Sequence, residues 1–95
     1  MRFLVISRLK SSASGAEILR LASAHAKYLS RLRSEDRLKG YYLIWAPSPA
    51  PSRHTYCDVE VYEAESLKEV EVQIRKSPIS SIADYEILPV LTWNE

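Results

Sequence analysis

The chain is poor in the residues that punctuate or cross-link a fold. Its 95 residues include two glycines, Gly15 and Gly40, one cysteine, Cys57, and one phenylalanine, Phe3. Two isolated glycines build no glycine-rich loop around a phosphate, and no GxSxG elbow is present. A lone cysteine closes no internal disulfide. Long apolar runs are missing as well. Only Phe3 to Ile6 are apolar before Ser7 and Arg8, short of the roughly 7–15 apolar residues of a signal peptide. The longest uncharged stretch, Gly40 to Ser52, carries three prolines and falls short of the roughly 20 apolar residues of a membrane span. The expectation is a cytoplasmic protein with no membrane partner.

What is present is ordinary for a globular chain: 46% hydrophobic and 26% charged residues, enough for one core and one domain over residues 1–95. A domain this small buries only about 60–65% of its unfolded surface, so pairing with a second copy would help it. The formal net charge of +1 hides a division. Residues 1–54 hold ten Lys/Arg against three Asp/Glu, and residues 55–95 hold three against nine. Both halves look folded, so this segregation reads as two parts that pair within or between subunits rather than as a nucleic-acid arm.

Six elements follow from the patterning. RFLVISRL, residues 2–9, is a β-branched and apolar strand. From about Ala16 to Glu35, Ile18, Ala22, His25, Leu29 and Leu32 recur at spacings of three and four and form a helical stripe. Lys27, Arg31 and Arg33 crowd its last turns, where cations suit the helix dipole, and Gly40 is expected in the turn that follows. GYYLIWA, residues 40–46, is an aromatic strand. The prolines of PSPAPSR make a stiff connection, and a third strand runs from about His54 to Glu63. Ser66 and Glu69 have capping-box spacing at the start of a second helix whose stripe is Leu67, Val70 and Ile74. That helix ends before Pro78. The last strand runs from about Ala83 to Leu91, and Pro89 marks it as an edge or a bulge.

The order β-α-β-β-α-β is that of the ferredoxin-like α+β plait, an antiparallel sheet with both helices on one face. Alternation along the third strand puts Cys57, Val59 and Val61 on one face and Tyr56, Asp58, Glu60 and Tyr62 on the other. The apolar set suits the helix layer, so the acids are expected on the open face. Carboxylates there oppose a polyanion, which argues against RNA binding. His25, His54, Cys57 and Asp58 are too few and too scattered for a structural zinc site, and no bound organic cofactor is indicated, so neither is expected. A small-molecule pocket remains. His25 lies on the apolar stripe and points toward the sheet, where an imidazole can serve as general acid or base. The competing reading is a core histidine held by one buried hydrogen bond. Tyr41, Tyr42, Tyr56 and Asp58 are candidates to supply hydroxyls and a carboxylate to the same cavity. Arg8 is the candidate holder of an anionic substrate, or else a neutralising partner for Asp58 or Glu60.

The segments MRFLVISR, HAKYLSRL, ESLKEV and ADYEILPVL, in that order, resemble the muconolactone delta-isomerase-like family of the dimeric α+β barrel superfamily. The resemblance covers nearly the whole chain, and the related YciI-like group also places a histidine on its first helix, similar to His25. It implies that two plaits pack sheet against sheet through the open face into a homodimer or a larger multiple. It also implies a cofactor-free shift of a double bond in a lactone or small organic acid, made by moving one proton with a general acid/base beside a bound carboxylate; His25 and Arg8 are the candidates for those two roles in this chain, with Tyr42, Tyr56 and Asp58 the substrate-binding candidates from the residue reading. The alternative is a non-catalytic ligand-binding or assembly module of the same fold. The PSPAPSR and KSPISS loops depart from the family pattern, and both bear on the substrate.

Overall fold

A computed structural model of the chain describes residues 1–45 and 56–91, so the proline connection, His54 and the last four residues lie outside the described part. The elements are β1 (Arg2–Leu9), α1 (Gly15–Ser34), β2 (Leu38–Trp45), β3 (Tyr56–Glu63), α2 (Leu67–Arg75) and β4 (Ala83–Val90). They form one antiparallel sheet in the order β2-β3-β1-β4, the ferredoxin-like plait that the element order predicts. Pro89 sits on edge strand β4 opposite Phe3, where its missing N–H costs no ladder bond to a further strand. No helix among the described residues is long and apolar enough to cross a membrane.

Local chemistry sets the helix ends. Ser14 caps α1: its hydroxyl accepts from the Glu17 N–H, and the Glu17 carboxylate accepts from the Ser14 N–H. Ser66 caps α2 in the same way toward Glu69, but the Glu69 carboxylate reaches back to the Glu65 N–H instead. The turn out of α1 differs from the expectation. Asp36 makes it, with φ 62°, while Gly40 lies inside β2 beside a register shift. Aspartate is among the few side chains that enter left-handed backbone readily. Gly40 is needed for closeness instead, since a Cβ there would meet the Tyr42 ring at 3.3 Å and Val61 at 3.5 Å.

The core lies between the sheet and the helices. Phe3 and Val5 of β1 and Tyr62 of β3 meet Tyr28, Leu29 and Leu32 of α1 and Val70 and Ile74 of α2. A smaller cluster of Ile79, Ile82 and Ala83, with Leu9, Ile18 and Leu21 packed on it, closes one end. Leu67, placed on the buried stripe of α2 by its spacing, is 46% exposed in the first turn of that helix.

The faces of β3 are the reverse of the sequence expectation. Glu60 and Tyr62 are buried at 1% and 2% exposure under the helices, and Asp58 points the same way. In register, Leu43, Asp58, Ser7 and Tyr85 form one row on this side, and Tyr41, Glu60, Val5 and Ile87 the next. The opposite face carries Tyr42, Val59 and Ile6 in one row and Val61, Leu4 and Leu88 in another. The acids turn inward because α1 brings a histidine to meet them, and the valines turn outward onto an apolar open face. Leu32, at 1% exposure, should lose about 2–5 kcal/mol of stability on Leu32→Ala. Leu19, at 79% exposure on the same helix, should lose less than about 0.5 kcal/mol on Leu19→Ala. Urea unfolding of the two variants measures the difference.

Candidate active site

His25 lies in the third turn of α1 on the stripe that faces the sheet, and it is 7% exposed. Its Nδ1 is 3.1 Å from the Ser77 hydroxyl in the turn after α2. Its Nε2 is 3.4 Å from Asp58 Oδ2 and 3.6 Å from Glu60 Oε2, both on β3. Residues two apart on a strand share a face, so β3 presents two carboxylates side by side to one helical residue. The other oxygen of each carboxylate is held by a tyrosine: Tyr41 donates to Asp58 Oδ1 at 3.2 Å and Tyr62 to Glu60 Oε1 at 2.6 Å.

Electrostatics follow from that packing. Burial alone pulls the imidazole toward its neutral form. The nearby carboxylates of Asp58 and Glu60 more than reverse this and hold the His25 pKa at about 9, so the ring is an imidazolium at neutral pH. Burial and the charge of Asp58 push the Tyr41 phenol up to about 12, and burial with Glu60 pushes Tyr62 further up. Both tyrosines are therefore proton donors to the carboxylates.

The cluster lies at the wall of a cavity of about 570 Å³ between α1 and the β2, β3 and β1 part of the sheet, a size suited to a small organic ligand. Its lining is largely apolar, with Leu9, Ile18, Leu29, Leu43, Ile79 and Ile82 around it. His25, Asp58 and Tyr41 reach it from the inner wall, while Glu60 stands behind them. Ser30 and Arg33 line it from the last turns of α1, and both are exposed.

Of the residues singled out from the sequence, the structure brings His25, Asp58 and Tyr41 together at this cavity. Arg8 is on the other face of the sheet, 3.7 Å from Glu86 of β4, and not at the cavity. Tyr42 is also on that face, its ring over Gly40 and beside Val61. Alternation is the cause: Ser7 and Tyr41 occupy the inward positions, which sends Arg8 and Tyr42 outward. The side chain of Tyr56 lies outside the described residues. Three contributors were missed. Glu60 was assigned to the open face, Ser77 to an ordinary loop, and Arg33 to the helix dipole alone. The readable signal for Glu60 was a histidine on an apolar helical stripe together with two alternate carboxylates on a strand. Nothing local marks Ser77, which meets His25 across 52 positions of sequence.

His25, Asp58 and Glu60 each offer one ligand atom within 4.8 Å of the others, the one group of this kind among the described residues. No protein-family model matches the sequence, and no curated protein matches it. The chain is similar to a solved structure of 5-chloro-2-hydroxyhydroquinone dehydrochlorinase (TftG) from Burkholderia phenoliruptrix AC1100, in complex with 2,5-dihydroxybenzoquinone. The match has 20% identity and a TM-score of 0.70, over 95% of this chain and 93% of that one. A dimeric ferredoxin-like protein of unknown function from Thermobifida fusca YX matches with 13% identity and a TM-score of 0.48, over 95% and 92%. At 20% identity the first likeness establishes a shared fold.

A pKa raised on folding adds stability that is complete below the unfolded value and disappears as pH climbs through the folded one. For His25 that window runs from 6.5 to about 9. The Tm should therefore fall across this range, and His25→Asn should flatten that part of the profile in calorimetric scans.

Proposed function

We propose that the protein is a small-molecule enzyme that moves a proton on a small cyclic substrate, a lactone, an organic acid or a hydroxylated ring. The observation that carries this reading is the His25–Asp58 pair exposed to an otherwise apolar cavity. An apolar lining holds a ring and excludes water, which strengthens the few charges inside. Asp58, oriented through both oxygens by Tyr41 and His25, takes the proton from the substrate. The His25 imidazolium returns one where negative charge develops. In a double-bond shift the proton leaves one ring carbon and returns at another, so no atom is gained or lost. The family resemblance supports this class of reaction. So does the shared fold with a dehydrochlorinase, since removal of HCl from a ring also takes a proton from it. Arg33 takes over the part expected of Arg8 and faces an anionic substituent at the end of the cavity.

The same reading has two copies meeting through the open sheet face. The rows Tyr42–Val59–Ile6 and Val61–Leu4–Leu88 give that face an apolar centre. The Arg8–Glu86 pair flanks it. Light scattering at micromolar concentration should give twice the chain mass or a multiple, and Val59→Lys should shift it to the monomer. A wild-type monomer would remove the dimer from this reading.

Catalysis is tested by deuterium exchange in D₂O, followed by NMR, on an unsaturated lactone acid and on 2,5-dihydroxybenzoquinone. His25→Ala and Asp58→Asn should each slow exchange about 10²–10⁴-fold while the circular dichroism stays native. A wild-type protein that binds these compounds but exchanges nothing supports the ligand-binding module instead. Undiminished exchange by His25→Ala would falsify the catalytic role.

A further inference from the structure

Every member of the cluster is hydrogen-bonded through one atom and turns another toward the other two members. His25 is fixed through Nδ1 by Ser77, Asp58 through Oδ1 by Tyr41 and Glu60 through Oε1 by Tyr62. The remaining atoms, Nε2, Oδ2 and Oε2, converge on one another. Two of them, His25 Nε2 and Glu60 Oε2, are buried without a hydrogen-bond partner. Their residues are 7% and 1% exposed. Buried polar atoms are ordinarily paired, so two such atoms aimed at one point need an explanation. Charge asks for the same thing. Two carboxylates face one imidazole, and no lysine or arginine among the described residues is ion-paired with either acid. Buried carboxylates that share so few partners are expensive.

We propose that His25, Asp58 and Glu60 form a binding site for one divalent transition-metal ion, bound in place of the proton on the imidazole.

The geometry suits it. Ligands about 2.0–2.2 Å from a metal stand about 3.0–3.5 Å from one another, and the Nε2–Oδ2 and Nε2–Oε2 separations are 3.4 and 3.6 Å. A dication with two carboxylates and a neutral imidazole brings the charge to zero. Metal-bound histidines donate their other N–H to a neighbour, and ligating carboxylates are hydrogen-bonded in turn. Ser77, Tyr41 and Tyr62 already stand in those places. One imidazole nitrogen and two carboxylates suit zinc, manganese or ferrous iron rather than a soft-metal thiolate site. The cavity beside His25 and Asp58 leaves the remaining coordination positions open. A metal on Nε2 and a proton on Nε2 exclude one another, so zinc switches off the proton transfer proposed above. The binding itself does not depend on that reading.

The test is therefore direct. The protein is stripped with EDTA and titrated with ZnCl₂ in a calorimeter, without substrate. The expected result is one ion per chain, a proton released on binding, and an affinity weakened at least about tenfold by Glu60→Gln and by Asp58→Asn. Glu60→Gln keeps an acceptor for Tyr62, and circular dichroism checks its fold. A His54→Ala, Cys57→Ser variant should bind zinc as the wild type does. In the unmutated protein, the ¹⁵N resonance of His25 Nε2 should move on addition of zinc while Nδ1 stays protonated. The proposal is overturned if no saturable binding occurs, if the His54 and Cys57 changes abolish it, or if the His25 resonance is unmoved. Zinc binding with no exchange activity leaves this proposal standing while the proton-transfer reading fails, and the reverse is equally distinguishable.

Discussion

One buried contact, His25 of α1 against Asp58 and Glu60 of β3, organises the rest of this molecule. It sets which face of β3 is inside. Side chains alternate along a strand, so a slip of one residue would send both carboxylates to the open face and bring Val59 and Val61 under the helices. Such a slip would leave His25 buried with no counter-charge. The observed register avoids this by pairing Glu60 with Val5 of β1 and Tyr41 of β2, so the acids meet the only histidine on α1. The contact joins the basic first half of the chain to the acidic second half.

The same choice shapes both sides of the sheet. Inward, it puts a charged, hydrogen-bonded wall beside a cavity lined mostly by leucine, isoleucine and alanine. The cavity lies under α1, while Val70 and Ile74 of the shorter α2 belong to the main core. Outward, it leaves Leu4, Ile6, Val59 and Leu88 at the centre of a face that also carries Arg2, Arg8, Glu63 and Glu86. The wall of the cavity and the composition of the opposite face thus have one origin in the orientation of β3.

Much of the fold was legible. The order of strands and helices, the Ser66 cap, the stop before Pro78 and the edge position of Pro89 all rest on local chemistry, such as a side-chain acceptor for a helix N–H or a missing ladder donor. The turn after α1 was misjudged because glycine and aspartate both enter left-handed backbone, and Gly40 serves the approach of Tyr42 and Val61 instead. In the site, His25 was legible because a polar residue on an apolar stripe must find a partner. Asp58 stood out as a carboxylate in a half-apolar strand, but on the wrong face of it. Arg8 and Tyr42 were misplaced, because nothing in a strand's own sequence says which of its two faces is covered.

By itself, then, the sequence determined the plait, its helix ends and one histidine committed to the interior, since caps, periodicity and proline act over a few neighbouring residues. Only the tertiary structure decided what that histidine meets. Ser77, Asp58 and Glu60 come from two separate segments, and Tyr41, which holds Asp58, from a third. The face that β3 turns inward depends on where buried charge is best compensated, and that is a property of the assembled sheet and helix rather than of any one strand.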